Sequence, residues 1–112
     1  MKIDRLDPPR QFSVKGVAIN HVADMHLDKG EMVTFKTPSE AEYDVTAKDW
    51  GFYATPSTNG RLKNHGFRTA LARSEQTGMR YVLLVEASKM EAFEAYCREQ
   101  DMVVDLWLDE DV

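Results

Sequence analysis

The feature that most constrains this fold is one helical period framed by two strand-like runs, between Tyr81 and Leu108. Ser88 and Glu91 match a capping box, in which each side chain satisfies an amide left unpaired near a helix start. Met90, Phe93, Tyr96 and Cys97 recur at helical spacing, which predicts a helix from Ser88 to about Gln100 with these four on its buried stripe. Glu94 and Arg98 add a favourable pair one turn apart on the solvent side. Before the helix, Tyr81–Val85 is apolar on both faces and is expected to lie centrally in a sheet. After it, Met102–Leu108 alternates and reads as a closing strand. The strand–helix–strand order calls for a mostly antiparallel sheet with one parallel or near-parallel pair and the helix packed on one face.

Upstream, Phe12–Leu27 alternates, with Val17, Ile19, His21, Ala23, Met25 and Leu27 on one face, and predicts one long strand with a bulge or bend. Asp28-Lys29-Gly30 suits a hairpin loop, with Glu31–Lys36 as its return strand. Thr37-Pro38 breaks the ladder and Tyr43–Asp49 resumes it. Past Gly51 the pattern is irregular, with a short helix expected from Pro56-Ser57 to Asn64 and Gly66 as its stop. Phe67–Arg73 and Met79–Glu86 form a hairpin pair. The expected fold is therefore α+β: a single domain over residues 11–108, with a mostly antiparallel sheet of five or six strands and one C-terminal helix. Residues 1–10, ending in Pro8-Pro9, are expected as a flexible leader, and residues 109–112 as a solvated acidic tail.

Composition narrows the function classes. The 112 residues suffice for one modest core. A net charge of −5 argues against broad phosphate-backbone binding, so nucleic acid is not an expected partner. The single cysteine, Cys97, excludes an intrachain disulfide and a thiolate zinc site. The N-terminal residues lack the apolar core of a secretory signal, and the longest apolar run, Tyr81–Val85, is far short of a membrane span. The chain is expected to be soluble and cytoplasmic, with no membrane association.

Catalytic and metal chemistry find little support. His21 and His26 fall on opposite strand faces, His65 lies far along the chain, and no metal-ligand spacing joins them to Cys, Asp or Glu. No serine sits in a strand–elbow–helix glycine frame. Cys97 reads as an inert buried thiol. Asn59-Gly60-Arg61 is no phosphate-binding loop, since it lacks that loop's lysine and hydroxyl. No metal and no cofactor are expected.

The stretch Asp49–Arg68 is different, because polar groups, aromatics and positive charge gather there in an acidic chain. The candidate ligand-binding residues are Asn59, Arg61, Asn64, His65 and Arg68 as hydrogen-bonding groups, with Trp50 and Tyr53 as flat walls. The plain alternative is that the aromatics are core and the arginines a solvated face. Trp107, with Val103, puts apolar bulk on the second face of the last strand, which makes that strand internal or a subunit contact.

The runs WGFYATPSTNGRL, GFRTAL and RYVLLVE resemble small bacterial proteins of uncharacterised activity, over residues 45 to 108. The resemblance implies an association with surface-glycan biosynthesis and directs the ligand expectation towards sugars or sugar nucleotides. It carries no activity and no residue roles. The expected function is thus a non-catalytic accessory or binding protein for a small anionic or sugar-containing ligand. The alternatives are a homodimeric protein-interaction module with no small-molecule ligand, formed along a sheet edge or the Trp107 face, and a small enzyme using His65 or a carboxylate.

Overall fold

The computed structural model describes residues 1–110, so Asp111 and Val112 of the expected acidic tail lie outside the described residues. Among these residues the fold is α+β, with eight strands in three antiparallel sheets and one main C-terminal helix. β1 (Lys2–Val14) pairs with β2 (Val17–His26). β3 (Met32–Lys36), β4 (Glu42–Lys48) and β5 (Gly51–Ala54) form a second sheet in that order. β6 (Phe67–Ser74), β7 (Arg80–Glu86) and β8 (Met102–Trp107) form the third, ordered β7–β6–β8. α1 (Arg61–Asn64) is a single turn and α2 (Met90–Gln100) is the main helix. The chain divides into two compact units, Met1–Met32 with Thr46–Tyr53, and Val33–Val45 with the chain from Ala54.

The first unit is built on the β1–β2 ribbon. Here the structure departs from the expected leader and single long strand, because Lys2–Val14 is a strand and Phe12–Leu27 contains a hairpin turn. Lys15 and Gly16 both take positive φ, +49° and +81°, as a two-residue hairpin loop between right-twisted strands requires. Val14 and Val17 therefore face each other across the turn. The ladder is interrupted between Arg5 and Arg10, a stretch holding Pro8, Pro9 and a cis Asp7–Pro8 peptide bond; proline is tolerated at such irregularities because it has no amide to donate. The register puts Ile3/Met25, Arg5/Ala23, Arg10/His21, Phe12/Ile19 and Val14/Val17 on one face, and Lys2/His26, Asp4/Asp24, Gln11/Asn20 and Ser13/Ala18 on the other. No residue of either strand is buried. Asp28–Gly30 does turn the chain, but β2 pairs with β1 and not with β3. Gly30 and Glu31 bond the backbone of Ala47 instead.

The second unit carries the core. Leu62, Ala41 and Phe67 are buried together, with Tyr43 and Leu84 packed on them and Tyr43 edge-on to Phe67. Leu62 gets there because Ser57 and the turn to Gly60 start α1, whose first amide, that of Arg61, is taken up by the Ser57 hydroxyl at 3.1 Å. Gly66 then stops the turn with φ +94°, while a Cβ there would sit 3.2 Å from that of Ala41. β6 is the central strand, antiparallel to both β7 and β8, so β7 and β8 run parallel to each other on either side of it. The strand–helix–strand unit therefore crosses over β6. The expected central place of Tyr81–Val85 is corrected: β7 is an edge strand, and Arg80, Tyr81 and Val82 are exposed.

The helix also differs from its capping-box reading. A 3-10 turn over Ala87–Lys89 precedes α2, and no side chain caps either segment. Ser88 is spent inside that turn, one position too early to cap α2. Met90, Phe93 and Cys97 are half-buried, while Tyr96 is exposed. Phe93 packs edge-on to Trp107 with ring centroids 5.8 Å apart. No helix among the described residues is long and apolar enough to cross a membrane.

Candidate functional site

The seven residues expected to bind a ligand fall in both units. Trp50 and Tyr53 belong to the first, where Trp50 is 71% exposed and Lys48 lies 5.7 Å from the centre of the Tyr53 ring. Asn59, Arg61, Asn64, His65 and Arg68 belong to the second.

Within the second unit the two arginines point at carboxylates of the chain itself. Arg61 approaches Asp44 at 3.8 Å, and the buried Asp44 also accepts a hydrogen bond from the Thr34 hydroxyl. Arg68 donates from Nε to Asp109 and from Nη2 to Glu110, both at 3.0 Å, and its guanidinium stacks 4.0 Å from the centre of the Trp107 ring. That arrangement uses both the fork and the flat face of the arginine. Asp109, expected in the solvated tail, is half-buried in this clamp with its Oδ1 lacking a partner. Trp107 is accordingly covered by Arg68 and Phe93 within its own unit.

Asn64 and His65 do come together, at the rim of an open depression of about 310 Å³ that Ser39, Glu86 and Ser88 also line. The Nδ1 of His65 is buried there without a hydrogen-bond partner. Asn59 is exposed in the turn before α1.

Glu86 was not singled out by sequence reasoning. Its carboxylate accepts hydrogen bonds from Thr37 at 2.7 Å and Ser39 at 2.8 Å, hydroxyls that lie 47 or more positions away in the chain. These bonds hold the Glu86 carboxyl below its ordinary range. A carboxyl depressed in the folded state contributes stability above its unfolded pKa and loses it as pH falls. Ser39→Ala is therefore expected to lower the unfolding midpoint at pH 7, with the gap to the parent closing as pH drops through about 4. Urea unfolding from pH 7 to 3 checks this, and a gap that stays constant would assign the effect to something other than the carboxylate.

A second feature unmarked in the sequence is a groove of about 540 Å³ between β7 and α2, lined by Val82, Leu84, Phe93 and Tyr96, with Glu86 and Lys89 as charged groups. Its walls are apolar and it lies open along the edge of the sheet.

Metal-binding groups do not assemble. No three of His, Cys, Asp and Glu gather around one point among the described residues. His21 meets Asp24 at 2.9 Å and His26 meets Asp4 at 3.0 Å, each a single pair on the ribbon. Burial raises the pKa of the Cys97 thiol, with a smaller push from Glu94, which disfavours the thiolate. No family model, no curated protein and no solved structure matches the chain.

Proposed function

We propose that the chain is a protein-interaction module that acts as a homodimer, docks protein surfaces through its β1–β2 ribbon, and takes no small-molecule ligand. The observation that carries this reading is the ribbon's face. Ile3, Phe12, Val14, Val17, Ile19 and Met25 stand together on one side and all are exposed, while the other side is mostly polar. Contiguous exposed apolar surface marks a contact site, and a two-stranded ribbon alone is marginally stable in water. Arg10, stacked 4.8 Å from the centre of the Phe12 ring, and Arg5 make that face basic as well as apolar. The small-ligand reading loses support in proportion, since Arg61 and Arg68 already face carboxylates. A reducing, cytoplasmic setting accompanies the proposal, with Cys97 free and its thiolate disfavoured.

Two measurements test it. Light scattering should give twice the 12.8 kDa chain mass, and a concentration-independent monomer removes the homodimer. Phe12→Lys with Ile19→Lys should leave that mass unchanged and the unfolding free energy within about 0.5 kcal/mol, as for other surface changes. A collapse of either quantity would mean that the face serves folding or self-association and not docking.

One observation favours a second reading, ligand recognition at the depression beside α1: the unpaired, buried Nδ1 of His65. Amide NMR titration with phosphates, nucleotides, sugars and sugar nucleotides separates the two. Shifts confined to residues 59–68 and 86–88 would establish a ligand site, and silence across the panel supports the interaction module.

A further inference from the structure

β7 is an edge strand with the sequence of an internal one. Arg80-Tyr81-Val82-Leu83-Leu84-Val85-Glu86 is apolar on both faces between two opposite charges. Natural edges are usually guarded by lysine, proline or a bulge, and β7 has none of these. Its register with β6 runs unbroken from Phe67↔Glu86 to Arg73↔Arg80.

The outward main-chain groups follow from that register. The Ala87 amide donates to the Gly66 carbonyl and the Ser74 amide donates to the Met79 carbonyl, both at 2.9 Å. Residues 79 and 87 thus turn their main-chain groups towards β6. By strand alternation, Arg80, Val82, Leu84 and Glu86 turn theirs to the open edge.

Resting on the homodimer reading, we infer that β7 pairs antiparallel with β7 of a second copy about a two-fold axis at Leu83. In this register Val82 meets the second copy's Leu84, Tyr81 its Val85, and Arg80 its Glu86. The pairs 82/84 and 80/86 are those whose amides and carbonyls point outward, so they form the hydrogen-bonded rungs. A slip of one residue would set outward groups against inward ones. A slip of two would leave Arg80 opposite Leu84 or Ser88. Only the register centred on Leu83 matches charge as well as hydrogen bonding. Arg80 is exposed at one end; at the other, Glu86 takes Thr37 and Ser39 on Oε1 and feels Lys89, so the second copy's Arg80 meets a carboxylate already held in place. The product is a six-stranded sheet, ordered β8–β6–β7 and then β7–β6–β8 of the second copy. Exposed Val82, which lines the β7–α2 groove, and exposed Tyr81, on the other strand face, both gain cross-strand neighbours at the join.

Cysteine cross-linking tests the axis in the full chain with Cys97→Ser. A residue on the axis faces its own copy in a non-hydrogen-bonded pair, with Cα atoms about 4.5 Å apart, within disulfide reach. Leu83→Cys should oxidise to a covalent dimer, whereas the more exposed Tyr81→Cys, four residues from its own copy in this register, should not. Arg80→Glu, which sets two carboxylates against each other at both ends, should weaken dimerisation at least tenfold. A dimer in solution that neither cross-links through Leu83→Cys nor responds to Arg80→Glu would overturn the β7 interface and leave the homodimer reading standing. A monomer at every concentration would overturn both.

Discussion

Replacing Leu62 with alanine is expected to destabilise the chain by about 2–5 kcal/mol, the range for deleting a fully buried leucine. Leu62 has no exposed surface and sits at the centre of the small cluster with Ala41 and Phe67, against which Tyr43 and Leu84 pack. A cluster of this size has few neighbours able to collapse into the space left behind, so the cavity persists. Stability of about 5–15 kcal/mol is typical of a whole domain, so this one change removes a large fraction of it. It also frees α1, whose four residues present no other buried side chain. Urea unfolding measures the effect. A loss under about 1 kcal/mol would mean that Leu62 is not the anchor of this core.

Arg68→Met is the second large effect, expected to cost about 2–3 kcal/mol, in line with hydrogen bonds to charged groups. The side chain of Asp109 is only 9% exposed and relies on Arg68 for its counter-ion, while its Oδ1 has no partner at all. Removing the guanidinium leaves a poorly solvated carboxylate behind, which costs more than the lost contact. Arg68→Lys should recover only part of the loss, because an ammonium keeps the charge but not the fork to Asp109 and Glu110 or the flat stacking on Trp107. Unfolding curves of the two variants give the comparison. If both were as stable as the parent, Arg68 would be available for a ligand and the sequence-based view of it as a binding residue would regain its force.

The elements with regular periods were legible. Phe67–Ser74, Arg80–Glu86 and the helix ending at Gln100 lie where alternation and helical spacing put them, within a residue or two. The helix start was not, because Ser88 and Glu91 satisfy a capping pattern that the chain does not use; a 3-10 turn takes the place of the cap. The turn between β1 and β2 has a local signature, Lys15-Gly16, since glycine after a polar residue between alternating runs is what a two-residue hairpin loop needs. A single strand over Phe12–Leu27 hides that turn and leaves residues 1–10 as a leader, whereas Lys2–Val14 is a strand that pairs with Val17–His26.

The candidate site was less legible, for a different reason. Composition showed where polar and aromatic groups gather along Asp49–Arg68, but a side chain's role depends on what reaches it from elsewhere. Arg68 is met by Asp109 and Glu110 from 41 and 42 positions away, and Glu86 by hydroxyls from Thr37 and Ser39. By itself the sequence determined the α+β class, the antiparallel strands and the helix joining the last two, because periodicity and turn chemistry act over a few neighbouring residues. Only the tertiary structure decided that β6 and not β7 is central, which carboxylates claim the arginines, and which apolar faces stay exposed, because strand order and ion pairing are contests among all segments that can reach one another, and no local pattern records the winner.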